Sequence, residues 1–327
     1  MINSFNTPVL FLVFNRPDTT QQVFEAIKKQ QPKYLFIAAD GPREHIMGEK
    51  ETCMLIQREL LDSINWDCEL KTLFREKNIG CKNAIEAALD WFFTHIDEGI
   101  ILEDDTLPNN DFFNYCSVLL DRYRDNEKIF SINGCSLGYQ NNRYDYGVTN
   151  YFNMWGWATW KRSNIKVKKT WQQYQQKPDL LKDSFLKKRL TLHTFWDLSG
   201  WYNYWQTQFL ATVQGKINTW DYQWVYSVLK TNSFCIRPNQ NYVINLGYGN
   251  MATHTTNGNH LLSGLKFGQT QYEQKMIKGK MTKDVKYERD YIAEIWNSYN
   301  VFERSKFHNF MDKIKNKIKK FKSFIWK

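Results

Sequence analysis

The sequence predicts an α/β protein: a mainly parallel sheet with helices on both faces. Three observations predict it. Short apolar runs alternate with helical patterns through the first third of the 327 residues. One of them, Gly99 to Leu102, is apolar throughout, as a strand buried on both faces is. And each run ends on polar or charged residues: Asn15-Arg16, Asp40 and Glu103-Asp104-Asp105.

In order, Pro8 to Phe14 reads as the first strand, and Pro17 to Gln30 as a helix with Pro17 in its first turn and Val23 and Ile27 on one face. Tyr34 to Ala39 is β-like and stops at the turn signal Asp40-Gly41-Pro42. Glu49 to Leu61 is helical, Cys68 to Phe74 strand-like, and Asn83 to His95 helical, with Ala84, Ala87, Ala88 and Trp91 at helical spacing. A helix from Asn109 to about Tyr123 and a short run from Ile129 to Ile132 follow. The chain then turns irregular and aromatic from Tyr151 to Trp160. Beyond it come a basic helical segment over 161–190, aromatics from Trp196 to Trp205, a helix after Asp221, and strands at Phe234 to Pro238 and Tyr242 to Asn245.

Composition narrows the class. The chain has 42% hydrophobic, 24% charged and 16% aromatic residues, which excludes wholesale disorder. No stretch reaches the roughly 20 apolar residues of a membrane-spanning helix. Val9 to Phe14 has no basic residue before it and reads as a strand, not a signal peptide. The six cysteines are scattered without a C-x-x-C pair, as reduced cytosolic thiols would be, and argue against structural zinc. The net charge of +10 is uneven: 161–190 carries +8 and 303–327 carries +7, so the remainder is mildly acidic. In 303–327, Phe307, Phe310, Met311, Ile314, Ile318, Phe321 and Ile325 recur at helical spacing among nine basic residues. That pattern predicts a helix lying on an anionic membrane surface, or else one docked on the catalytic body. Its apolar stripe would have no role on nucleic acid.

Three successive acids at a strand end repel one another and need a counter-charge. A divalent cation, Mn2+ or Mg2+, would supply it, held by one or two carboxylates and substrate phosphates. The alternative is helix capping, although Asn109, Asn110 and Asp111 stand closer to the following helix. Walker, dinucleotide-binding, H-E-x-x-H and G-x-S-x-G motifs are all missing, which favours a metal-diphosphate mode of binding.

The segments V-F-N-R-P (13–17), I-A-A-D-G-P-R (37–43), N-I-G-C-K (78–82) and G-I-I-L-E-D-D (99–105) carry a resemblance, as do W-G-W-A-T-W (155–160), T-W-D-Y-Q-W (219–224) and N-L-G-Y-G-N-M-A-T-H-T (245–255). Together they resemble bacterial GT-A-type glycosyltransferases, the nucleotide-diphospho-sugar transferases. The E-D-D segment and Cys235-Ile236-Arg237-Pro238 are more distantly similar to the N-acetylglucosaminyltransferase I family. The resemblance implies a Rossmann-like GT-A domain with a nucleotide-sugar half over 1–105 and an acceptor half over 106–262, and the tail pattern adds a helical extension over 263–327. It implies that Arg16, beside Asn15, and Asp40 hold the base and ribose. Glu103 and Asp104 would lie near the ribose and donor sugar, Asp105 would coordinate the metal, and Asp221 would be the general base of an inverting transfer. In T-W-D-Y-Q-W the aromatic after the acid comes one residue later than in that second family.

Each residue has a plainer alternative. Asp221 reads equally as a cap on the helix from Tyr222. Trp155, Gly156 and Trp157 are candidates for stacking on sugar, although most aromatics pack in cores. Lys82 is placed to meet a phosphate at a helix start, or is a solvated lysine. His254 is a candidate diphosphate or metal contact, or structural. The expected protein is a membrane-peripheral cytoplasmic glycosyltransferase that builds a bacterial surface glycan. Its rivals are a carbohydrate-binding protein without catalysis and a metal-dependent phosphohydrolase.

Overall fold

The computed structural model describes residues 5–138, 144–177, 198–247, 265–268 and 279–283. Its first elements are β1 (Val9–Val13), α1 (Pro17–Gln30), β2 (Tyr34–Ala39), α2 (Glu49–Ser63), β3 (Glu69–Phe74), α3 (Cys81–His95) and β4 (Glu98–Glu103). Then follow β5 (Thr106–Pro108), α4 (Asn110–Arg122), β6 (Ile129–Asn133), β7 (Tyr146–Thr149), β8 (Trp157–Trp160) and α5 (Lys161–Gln176). The last are α6 (Leu198–Val213), α7 (Asp221–Lys230), β9 (Phe234–Pro238), β10 (Val243–Asn245) and β11 (Gly279–Lys283). Local chemistry sets several of these limits. Pro17 starts α1, where its missing N–H costs nothing, and the Asn109 side chain accepts the Phe112 N–H at 3.1 Å to cap α4. The capping alternative for the E-D-D acids therefore fails, because Asn109 does that work.

Nine strands form one sheet in the order β11-β7-β9-β6-β8-β4-β1-β2-β3, and β5 pairs with β10 in a second small sheet. Side chains alternate across the large sheet. Leu10 and Leu12 of β1 pack with α3, α5, α6 and α7. Val9, Phe11 and Val13 pack with α1, α2 and α4 on the opposite face. The predicted α/β class holds, with a correction: the sheet is mixed. β8 runs antiparallel to both neighbours, β4 and β6, and β7 runs antiparallel to β9. The reason is geometric. β4 and β6 both end at one rim, and β8 starts there, so it must run back against both.

Two further expectations change. The aromatic segment expected to be irregular contains β8, and β7 stands just before it; the residues of both are buried on both sides and so show no polar alternation. In the C-terminal stretch expected to be helical, residues 279–283 form the edge strand β11, parallel to β7. The tail 303–327 and residues 178–190 of the basic segment lie outside the described residues.

Candidate active site at the sheet switch point

The strand order locates the site. β1, β2 and β3 step in one direction, after which the chain returns past β1 to place β4 on its other side. In open α/β sheets the crevice for a ligand lies where the order reverses, beyond the carboxyl ends of the two strands. Here those ends carry Asn15-Arg16 after β1 and Glu103-Asp104-Asp105 at the end of β4.

Arg16 supplies a counter-charge to the acids. Its Nη1 donates to Asp105 Oδ2 at 2.6 Å and to Asp104 Oδ1 at 3.2 Å. Burial works against the guanidinium, but Asp104 and Asp105 outweigh it and raise its pKa. One cation does not balance three acids. Glu103 is pushed well above the usual carboxylate range by burial, then by Asp105, Asp104 and Asp221. Asp104 rises to about 7 through burial and Asp105, opposed by Arg16 and by the Phe14 N–H that it accepts at 3.1 Å. The Glu103 carboxylate and Asp105 Oδ1 have no hydrogen-bond partner among the described residues.

The late loop after β10 closes over this cluster. Leu246 N–H donates to the Asp105 carbonyl at 2.7 Å, and a Cβ on Gly247 would collide with Asp105 Oδ2. The N–L–G part of the late motif is thus packed on the acid, and only glycine permits that approach. His254 lies outside the described residues.

Asp221 comes near the same cluster from another part of the chain, close enough for its charge to act on Glu103 and Cys81. It is the first residue of α7, buried, and accepts the Thr219 hydroxyl at Oδ1. It does not cap the helix; Trp220 occupies that position without a side-chain cap bond. Gln223, two residues on, donates to Glu86 of α3 and ties the two helices together. The start of α3 faces Asp221, and its Cys81 thiol is pushed up to about 12 by burial and by Glu103, Asp221 and Asp104. Lys82 stands next to it, half-exposed, and its charge acts on Glu86.

Asp40, expected to hold the base and ribose, is turned to the chain's own backbone. Its carboxylate accepts the backbone N–H groups of Gly41 (2.9 Å), Ile79 (3.1 Å) and Gly80 (3.0 Å). The Asn78 side chain returns a bond to the Gly41 carbonyl at 2.7 Å, and Gly41 packs directly on the Lys77 backbone. The A-D-G and N-I-G segments are therefore one interlocked pair of loops, and Asp40 positions the start of α3. Asn15 is likewise turned to a partner, donating to Glu49 Oε1 at 2.7 Å.

The aromatic belt divides. Trp157 is fully buried among Phe152, Trp220 and Trp224, so its ring is not available to a sugar. The missing Cβ of Gly156 makes room for Val243 and Leu102, not for a ligand. Trp155 is only half-buried; it precedes β8 and packs against the edge of the core cluster that holds Leu102 and Phe112. Residues not singled out from the sequence also build the rim: Arg43, Glu49, Thr219, Glu86, Gln223 and Gly247. Most sat inside the quoted motifs, but for Gln223 and Gly247 the partners, Glu86 and Asp105, lie far away in the chain.

Among the described residues no three His, Cys, Asp or Glu side chains group as a ready metal cage. The donor set suits a cation that takes most of its ligands from elsewhere: hard oxygens without partners, and more negative charge than Arg16 offsets. No helix among the described residues is long and apolar enough to cross a membrane.

No protein-family model matches this chain, and no curated protein does. Among solved structures, HddC from Yersinia pseudotuberculosis is 10% identical over 48% of this chain and 77% of its own, with a TM-score of 0.30. The same protein complexed with GMP-PN gives 10% identity, 42% and 66% coverage, and a TM-score of 0.27. Likeness at that level carries no argument about what this chain does.

Proposed function

We propose that this chain is a GT-A-type glycosyltransferase that moves a sugar from a nucleotide-diphosphate donor, UDP-linked, to a hydroxyl of a glycan or lipid-linked acceptor, with inversion. The observation that carries the reading is the charge imbalance at the switch point. Three carboxylates meet one guanidinium, and the charge of a fourth acid, Asp221, acts on the same cluster.

Each step uses groups on that rim. Asp105, through its unpartnered Oδ1, would hold Mn2+ or Mg2+ with phosphate oxygens of the donor. When bound, that cation offsets the charge developing on the leaving diphosphate. Arg16 exchanges part of its pairing with Asp105 for the phosphates, whose charge a guanidinium meets in fork geometry. The start of α3, with Lys82, offers N–H groups and a positive end to the same phosphates. Asp221, oriented by Thr219, takes the proton of the acceptor hydroxyl as its oxygen attacks the anomeric carbon and the bond to the diphosphate breaks. Trp155, half-buried just before β8, would flank the donor sugar. Burial of Trp157 and Trp160 weighs against the alternative of a binding module built on the aromatic belt. Attachment to the inner membrane face through 303–327 belongs to the same proposal. Liposome flotation with and without that tail tests it, and equal binding rejects it.

The test of the activity is transfer from UDP-sugars with and without EDTA. Asp105→Asn is expected to cut transfer by about a hundredfold or more, as loss of a group stabilising transition-state charge does. Wild-type transfer by that variant ends the proposal. Release of phosphate or nucleotide without any acceptor would support the phosphohydrolase instead.

A further inference from the structure

With a diphosphate over the end of β4, the remainder of a donor has to run along the rim, and the strand order gives the direction. β1 and then β2 follow β4 in the sheet. Neighbouring strands lie about 4.8 Å apart, so the end of β2 is roughly 10 Å from the acids, within the span of a nucleoside. Asp40, at that end, has its carboxylate turned into the 79–80 loop. What stands at the rim in its place is Arg43.

Arg43 is held in one orientation. Its Nε lies 3.1 and 3.0 Å from Glu49 Oε1 and Oε2, and its Nη2 lies 2.5 Å from Oε1. Glu49 is 4% exposed and also accepts the Arg43 N–H at 2.6 Å and the Asn15 side chain at 2.7 Å. The guanidinium sits 5.6 Å from the centre of the Phe14 ring, with 41% of the Arg43 side chain exposed. Its Nη1 has no hydrogen-bond partner among the described residues. Fastening the loop to α2 would explain the ion pair. It does not explain a guanidinium held over the Phe14 ring with a donor nitrogen left over.

We infer that Arg43 reads an acceptor edge of the donor's nucleobase and so sets which nucleotide the protein accepts. A planar, fixed guanidinium suits bases that offer a carbonyl oxygen, such as uracil and guanine, over adenine. The inference rests on the nucleotide-sugar function proposed above.

The experiment measures the binding of UDP, GDP, CDP, ADP and inorganic pyrophosphate to the full chain by calorimetry, for wild type and Arg43→Met. The best-bound nucleotide is expected to weaken by about tenfold, the scale of a lost base contact, while pyrophosphate binding stays unchanged. The preference among the four bases should flatten. An unchanged preference overturns the inference, and so does an equal loss for pyrophosphate, which would make Arg43 a phosphate ligand. If no nucleotide binds the wild type, the function proposed above falls together with the inference; an unchanged preference removes the inference alone. Thermal melts check folding. Arg43→Lys, which keeps the charge without the planar fork, gives the same discrimination if the methionine variant does not fold.

Discussion

Glu49 shows how one buried side chain can assemble a rim. It joins the first residue of α2 to the loop after β2 and, through Asn15, to the end of β1. The hydrogen bonds from Arg43 hold its carboxyl below the ordinary value of 4.5, against the opposing effect of burial. A carboxyl lowered in the folded state contributes stability that is fully present above its unfolded pKa and is lost as pH falls through the folded one. Glu49→Gln is therefore expected to cost about 1–3 kcal/mol at pH 7, the usual cost of leaving a buried charged group's partners unmet. Below pH 4.5 the difference from wild type should shrink. Urea melts at pH 7 and pH 4 measure it, and a pH-independent difference would reject the ion-pair account. Asp40 shows the other side of residue-scale reasoning. Its place at a strand end was legible in the sequence. That its oxygens face the 79–80 backbone was not, because those partners lie about forty residues on.

At the scale of elements, β8 and the loop after β10 do the most to shape the site. Trp157 faces Trp220 and Trp224 at the start of α7, so the strand that borders β4 also supports the helix that presents Asp221. Trp157→Ala is expected to destabilise the fold by about 3–5 kcal/mol, the range for deleting a large buried aromatic, with the loss read as a fall in melting temperature. If stability is unchanged and only glycan binding is lost, the stacking role returns. Gly247 makes the complementary case. Gly247→Ala would push the loop or Asp105 aside, at about 1–3 kcal/mol if forced to stay, so the effect should fall mainly on ligand binding. Calorimetry with Mn2+ and UDP checks it, and wild-type affinity would show that the loop can yield. The sequence showed α1, β2, α3 and β9 within a residue or two, because period, proline and turn signals are local. It missed β7, four residues with no alternation, and β8 and α6, whose aromatic runs carry no period of their own and take their form from the rings around them.

Over the whole molecule, the acid cluster links ligand binding to pH. Asp104, raised to about 7 from an ordinary 3.8, keeps in the folded state a proton that the unfolded chain releases. The ligand-free protein should thus lose stability as pH rises between those values. A cationic ligand removes the cause, so its stabilising effect should grow over the same window. At 100 times Kd a ligand adds about 2.7 kcal/mol. Melts with and without Mn2+ and UDP at pH 5.5 and pH 8 provide the comparison, and an equal shift at both would contradict the linkage. Charge is also distributed on this scale. On α5, Lys168 and Lys161 are answered by Asp90 and Asp97 of the neighbouring α3 region.

By itself the sequence determined the α/β class, the helices and strands of the first third, and the acids at the end of β4. It also placed Asp221 at the head of a helix and the excess positive charge in two segments. All of these rest on neighbours close in the chain. Only the tertiary structure decided the strand order, and with it the switch point that brings Arg16 onto Asp104 and Asp105 from 88 and 89 residues away. It alone withdrew Asp40 and Trp157 into structural roles and left Arg43 on the rim. Which side chains remain available to a ligand depends on what the rest of the fold has already bound, and local pattern does not record that.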